Sequence, residues 1–166
     1  MGISDSRLRF VEKLKSYMRK ERYEVEISKE FIIFEFTSVR PKGSTRKRIL
    51  FDETETKGIF NLALGDVNTE TDGFDDSVVS NNNDSQKVLA TVASAVYLFS
   101  QKYPTAVIFA EGSNAARTRL YRIGISNNLE ELTEQFNVFG FLDNIGWGIY
   151  EKNKDYSAFF IKRKNS

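Results

Sequence analysis

The fold is decided by residues 84–123, which read DSQKVLATVASAVYLFSQKYPTAVIFAEGSNAARTRLYRI. The first part of this stretch, 84–101, has apolar residues three and four apart, and this spacing predicts an amphipathic helix that ends before Pro104. The run 106–110 is entirely apolar, as is typical of a strand covered on both faces. Residues 112–123 predict a second helix, which Gly124 is expected to end.

Strand-like segments lie on both sides of this stretch. Alternating apolar residues predict strands at 23–27, 31–39, 46–53, 58–66, 136–142, 146–152 and 157–163. Helical spacing predicts a first helix at 5–20 and a short one at 129–135. Asn83 and Gln86 are spaced like a capping box before the central helix, and Gly65 indicates a bulge or a close backbone approach.

The order of these segments predicts an α+β fold in a single domain of residues 1–166. The sheet is expected to be mixed and mostly antiparallel, with about six to seven strands and helices packed on it. One right-handed βαβ crossover should join the 58–66 strand to the 105–110 strand.

Composition excludes several kinds of site. The chain has no Cys and no His, which excludes zinc fingers, disulfide frameworks, thiol nucleophiles and Ser-His-Asp triads. Any proton transfer must therefore use Asp, Glu, Tyr, Lys or a chain terminus. The net charge of +1 gives no general attraction to nucleic acid. With no long apolar run and no signal-peptide core, we expect a soluble cytoplasmic protein that does not bind membranes.

Charge is balanced over the chain but not along it. Residues 40–48 are dense in Lys and Arg, whereas 58–86 contain acidic residues and no basic one. A second basic group follows at Arg117, Arg119 and Arg122. Two interpretations stay open: these are solvated faces of opposite sign, or the basic groups form an anion site and the acidic loop is its lid or a partner surface.

The acidic residues and the basic hairpin each suggest an alternative that we consider weaker. Asp66, Asp75, Asp76 and Asp84 offer the oxygen ligands that Mg²⁺ and Ca²⁺ prefer, but EF-hand spacing is absent, and we predict no metal site. Arg40–Arg48 could contact nucleic-acid phosphates, with neighbouring aromatic rings stacked on bases. Those rings are Phe31, Phe34 and Phe36. We expect them in the core instead, because at least Phe34 and Phe36 share the alternation of a buried strand face.

A late group of aromatic residues comprises Phe136, Phe139, Phe141 and Trp147. We expect these side chains to pack on the sheet. A self-association or partner surface is the alternative, because aromatic residues are enriched at protein interfaces.

Several short motifs resemble those of one family. They are Pro41-Lys-Gly43, Asn61-Leu-x-x-Gly65-Asp66, Asp75-Asp76, Asp84-x-x-Lys87-Val-Leu-Ala-Thr-Val92 and Gly112-Ser-x-x-Ala-Arg-Thr-Arg-Leu-Tyr121. Together they resemble a family of short bacterial proteins of unknown function over roughly residues 30–125. This resemblance implies no assigned activity.

The order of the elements also resembles the GCN5-related N-acetyltransferase fold, and Asn114-x-x-Arg117-x-x-Leu120-Tyr121 is similar to the segment that opens its last helix. The resemblance implies acetyl-CoA as cofactor, with Asn114 in contact with it and Tyr121 as general acid. It also implies that the 58–66 and 105–110 strands splay apart to admit the cofactor. The family's glycine-rich pyrophosphate loop is replaced here by Asn81–Gln86, where Asp84 would repel a pyrophosphate.

The residues after Gly112 form the candidate site. Ser113 and Asn114 leave amides open at a helix start, Arg117 lies one turn later, and Tyr121 shares its face. An ordinary N-cap on a solvated basic helix is the other interpretation.

We therefore predict a ligand-binding or regulatory module with an anion-receptive pocket, whose partner is a small anionic ligand or a protein. The first alternative is an active N-acyltransferase that uses acetyl-CoA, with Tyr121 as general acid. The second is a nucleic-acid-binding or phage- or toxin-associated interaction protein.

Overall fold

The computed structural model describes residues 20–41, 43–76 and 84–165. The strands in these ranges are β1 Glu26–Ile27, β2 Ile33–Arg40, β3 Gly43–Glu53, β4 Ile59–Val67, β5 Phe74–Asp75, β6 Val107–Ala110, β7 Phe136–Leu142, β8 Gly146–Ile149 and β9 Ala158–Arg163. The helices are α1 Ser85–Lys102, α2 Ala115–Asn127 and α3 Leu129–Gln135. The helix expected at 5–20 and the cap residue Asn83 lie outside the described residues.

The strands form one open mixed sheet in the order β1-β2-β3-β4-β6-β9-β7-β8, with β5 paired beside β4. Neighbouring strands are antiparallel except β4 and β6, which run parallel through three residue pairs from Ile59↔Val107 to Asn61↔Phe109. Helix α1 connects this parallel pair. The expected α+β class and the single βαβ crossover are confirmed.

The expected number of strands, about six to seven, is too low, because the described residues alone form a sheet of nine strands. The strand that the sequence pattern missed is β5, which consists of two residues inside a polar segment. It has no alternation of its own and is held by pairing with β4 at Asp66↔Asp75 and Val67↔Phe74. Pairing with another part of the chain, which no local pattern reveals, therefore creates this strand.

The core lies between one face of the sheet and the helices. The middle of α1, from Val88 to Ser100, is buried on every side, so this helix contacts the sheet and its neighbouring helix together. Phe99 stacks on Phe51 of β3 with ring centroids 4.2 Å apart. Phe34 and Phe36 are buried, as expected from the alternation of the strand, and Phe31, which precedes β2, is buried as well.

The ends of two helices differ from the sequence prediction. Helix α1 has Asp84 rather than Asn83 as its N-cap residue, and this cap makes no side-chain hydrogen bond to the helix. Helix α2 continues through Gly124 to Asn127. A Cβ on Gly124 would lie 2.9 Å from Leu89 of α1, so this glycine permits close helix packing and does not end the helix.

The opposite face of the sheet is divided between charged and aromatic residues. On the β1–β4 half, Arg46 pairs with Glu26 at 3.2 Å and Arg48 with Glu35 at 2.8 Å. The β6–β9 half carries an aromatic cluster of Phe109, Phe139, Phe141, Trp147 and Phe160. Phe136, which the sequence grouped with these rings, is instead buried on the helix side under Arg163.

No helix in the described part of the chain is long and apolar enough to cross a membrane.

Candidate functional site

The site forms where β4 and β6 part. Their pairing ends at Asn61 and Phe109, while β4 continues to Val67. Helix α2 lies beside this continuation, and the Leu64 N–H donates a hydrogen bond to the Tyr121 hydroxyl at 3.0 Å. A backbone group that another strand would otherwise bind is thus satisfied by a side chain of a helix.

The N-terminus of α2 is built by Gly112 and Asn114. A Cβ on Gly112 would lie 2.2 Å from the Thr118 amide nitrogen, so only glycine allows the chain to pass this closely. Asn114 is the N-cap residue, and its Oδ1 accepts the Arg117 N–H at 2.8 Å. The N-cap role expected for this segment is therefore confirmed, and it uses the Asn114 side chain.

Two side chains of this segment converge on one oxygen atom. The Ser113 hydroxyl donates to the Asp76 carbonyl at 3.0 Å, and Arg117 Nε donates to the same carbonyl at 3.0 Å. Arg117 is 2% exposed, so the alternative interpretation of a solvated basic helix face does not hold at this residue. The structure thus brings Ser113, Asn114, Arg117 and Tyr121 together, beneath the segment that ends at Asp76.

We call residues 68–76 the cover segment. Its turn is closed by the hydrogen bonds from Asn68 N–H to the Gly73 carbonyl and from Asp72 N–H to the Asn68 carbonyl. Arg48 pairs with the Asp72 carboxylate at 2.8 Å. A Cβ on Gly65 would lie 2.6 Å from both the Asp75 carbonyl oxygen and the Phe74 ring, so this glycine lets the cover segment lie against β4.

Tyr121 is buried between the sheet and the helices. Burial raises the pKa of its phenol above the ordinary value, while the Leu64 N–H and the Arg117 charge act in the opposite direction. The phenol therefore carries its proton at neutral pH, and it can still donate a hydrogen bond.

A small apolar cavity lies on the other side of Tyr121. Its volume is about 50 Å³, and its walls include Leu62, Leu89, Val92, Ala110, Tyr121 and Ile125. Cavities lined by such side chains stay dry. Tyr121 thus lies between this apolar cavity and a polar group of side chains. We call that group, Ser113, Asn114 and Arg117, the seat.

The start of α1 is occupied by a carboxylate of the chain itself. Asp84 Oδ2 accepts the Tyr23 hydroxyl at 2.7 Å and also the hydroxyl of Ser38, which is fully buried. Lys87 lies over the Tyr23 ring, 4.2 Å from its centroid. The sequence indicated the charge of Asp84 but gave no signal for Tyr23 or Ser38, which are far from it in the chain.

The other groups considered from the sequence do not come together. Lys47 pairs with Asp66 at 2.6 Å on the helix side of the sheet, whereas Arg46 and Arg48 lie on the other face and pair with glutamates. These three basic residues are thus divided between two faces. In the described ranges no three acidic side chains lie close enough to hold a metal ion.

Comparison with known proteins places the chain in a family. The model of the family of unknown function DUF6934 matches residues 19–164. No curated protein and no solved structure matches the chain.

Proposed function

This chain belongs to DUF6934, a family of unknown function, and we propose from its geometry that it is a ligand-binding module. In this proposal, Ser113, Asn114 and Arg117 form a seat beside Tyr121 for a small anion. The cover segment closes the seat when no ligand is present and moves away when the ligand binds.

The observation that carries this proposal is the pair of hydrogen bonds that the Asp76 carbonyl receives from Ser113 and Arg117. A hydroxyl and a guanidinium that meet at one point are the donors that bind phosphate and carboxylate oxygens in proteins. The seat also lies at the N-terminus of a helix of thirteen residues, where the helix dipole favours negative charge. The Asp76 oxygen therefore occupies a position suited to a ligand oxygen.

Displacement of the cover segment is supported by the weakness of two of the contacts described for it. Its two-residue strand pairs with β4 at two positions. The ion pair between Arg48 and Asp72 involves a carboxylate that is 80% exposed, and exposed pairs of this kind contribute at most about 1 kcal/mol. A ligand that binds the seat can compete with contacts of this strength.

A second candidate, an N-acyltransferase that uses acetyl-CoA, is favoured by the parting of β4 and β6 beside Tyr121. A protonated tyrosine at that place is suited to give a proton to a leaving thiolate. The carboxylate of Asp84 at the start of α1 weighs against it, because a pyrophosphate there would meet like charge. Acetyl-CoA is therefore one of the ligands to test.

Calorimetric titration with inorganic phosphate, pyrophosphate and acetyl-CoA tests the proposal. We expect millimolar binding or tighter for at least one of these anions, and we expect Ser113→Ala to weaken it about tenfold because a hydrogen bond to a charged group is lost. Arg119→Ala is the control, since Arg119 is an exposed cation of the same helix. Its affinity should stay within about twofold of the wild type.

Absence of binding for all three anions, or equal affinity of the wild type and Ser113→Ala, contradicts the proposal. If acetyl-CoA alone binds and an amine is acetylated, the second candidate replaces it. The Tyr121→Phe variant should then lose turnover while it keeps the affinity for acetyl-CoA.

A further inference from the structure

Among the described residues the sheet ends in β8, and none of them forms a strand that pairs with the outer edge of β8. β8 pairs with β7 on one side and is the last strand of the sheet. The Tyr150 N–H donates to Val138, so the alternation of an antiparallel ladder directs the N–H and C=O groups of Trp147 and the N–H of Ile149 away from β7. These groups are placed to pair with another strand.

The side chains at this edge are apolar and exposed. Ile145, Trp147 and Ile149 are 81%, 46% and 78% exposed, and the described residues contain one other large exposed hydrophobic side chain, Val39. Trp147 and Ile149 are two residues apart in β8 and so lie on one face of the sheet, while Ile145 lies in the turn that precedes β8. On that face Trp147 contacts Phe141 and Phe160 of the aromatic cluster, which extends the apolar surface inward from the edge.

The distribution of charge indicates which partner fits this edge. Residues 144–150, NIGWGIY, carry no charge, so an antiparallel second copy would place no like charges opposite each other. The other end of the sheet, β1, carries Glu26 with its side chain 81% exposed, and self-pairing there would oppose glutamates. The net charge of +1 also produces little repulsion between two copies.

We propose that β8 is a self-association edge, through which two copies of this chain pair antiparallel around a two-fold axis and join their sheets. Sheet edges are commonly protected from such pairing by Lys, Pro or a bulge, and β8 has no Lys or Pro. In the dimer, Trp147 and Ile149 of one copy pack against the same residues of the second copy. This proposal does not depend on the ligand of the seat.

Sedimentation equilibrium and light scattering after size exclusion test it on the full chain. We expect the wild type to be a dimer at micromolar concentrations. Ile149→Lys should raise the dimer dissociation constant at least tenfold, because it buries a charge and opposes like charges. Val39→Lys makes the same change at an exposed apolar position on β2 and should leave the dimer unchanged.

A second variant separates pairing of strand edges from hydrophobic contact. Ile149→Pro removes the outward N–H and no bond to β7, so it should dissociate the dimer while circular dichroism shows an intact fold. If Ile149→Lys fails to fold, Ile145→Lys replaces it. A monomeric wild type at all concentrations, a dimer that survives Ile149→Lys, or a dimer that survives Ile149→Pro overturns the proposal.

Discussion

At the scale of single residues, Tyr121 links the site to the core. Its hydroxyl is the acceptor for the buried N–H of Leu64. Replacement by phenylalanine leaves that N–H without its acceptor, and an unsatisfied buried donor costs about 1–3 kcal/mol. We therefore expect Tyr121→Phe to lower the free energy of unfolding by that amount, measured by urea denaturation.

Tyr103 provides the control for this measurement. Its hydroxyl donates to the Glu30 carbonyl at an exposed position, where water replaces a lost bond. Tyr103→Phe should lower the free energy of unfolding by less than about 1 kcal/mol. If both changes lower the free energy of unfolding equally, the buried hydrogen bond to Leu64 contributes no more to stability than the exposed one made by Tyr103.

The ionisation of Tyr121 gives a prediction about alkaline pH. Burial raises its pKa in the folded protein, whereas the unfolded chain releases the phenolic proton near about pH 10. Above that pH the folded state holds more protons than the unfolded state, so the free energy of unfolding must fall as pH rises. This contribution is fully present below about pH 10.

We expect Tyr121→Phe to flatten this alkaline decline, since phenylalanine has no proton to hold. Urea denaturation at several pH values between about 8 and 11 measures the slope. Some decline should remain, because burial also raises the pKa of Tyr150. An identical slope in the variant and the wild type would contradict the assignment to Tyr121.

At the scale of elements, Gly65 determines whether β5 can pair with β4. In Gly65→Ala, the new Cβ would lie 2.6 Å from a backbone oxygen of β5, which cannot turn away as a side chain can. We expect the cover segment to separate from β4, at a cost of about 1–3 kcal/mol. Hydrogen exchange of the amides at 74–76 should become faster.

The same change should strengthen anion binding if the cover segment competes with the ligand, because the variant has already lost the closed state. Gly148→Ala is the control, since a Cβ there meets nothing within 4 Å. Weaker anion binding in Gly65→Ala would contradict the competition, and unchanged exchange at 74–76 would contradict the role of Gly65.

At the scale of the whole molecule, Phe99 tests whether the chain is one cooperative unit. It contacts Phe51, Phe60 and Tyr103 under the β1–β4 half of the sheet, while the single Trp147 lies on β8 in the other half. Phe99→Ala should cost about 3–5 kcal/mol. In one domain, Trp147 fluorescence and far-UV circular dichroism must shift to the same lower midpoint.

Separate midpoints for the two signals would show that the halves unfold independently. The parallel pair of β4 and β6 joins the halves through three residue pairs, so α1 must couple them through the core. Val39→Ala is a suitable control, because its exposed side chain makes little contribution to that core.

Sequence patterns predict the elements whose position depends on residues within the same segment. The apolar spacing and Pro104 predict helix α1 at 84–101, and it lies at Ser85–Lys102, because both signals act within the same segment. The prediction that Gly124 ends a helix is wrong, since the role of this glycine depends on Leu89 of another helix. For the same reason β5 could not be predicted, as it exists through its pairing with β4.

The candidate site also combines features that local sequence determines with features that depend on residues far away in the chain. The cap formed by Asn114 follows from residues within one turn, and the sequence offered it as one of two interpretations of this segment. The burial of Arg117 was not predicted, because its acceptor is the carbonyl of Asp76, forty-one residues earlier. A carbonyl belongs to every residue, so no sequence pattern distinguishes the one that Arg117 binds.

The position of β9 has a consequence for biosynthesis. It lies between β6 and β7, both of which leave the ribosome before it does. During synthesis, β6 and β7 are therefore present before the strand that pairs with both of them. Their unpaired edges can then bind strands of other nascent chains. Chaperones that hold this gap open until residues 158–163 emerge should raise the yield of native protein in the cell.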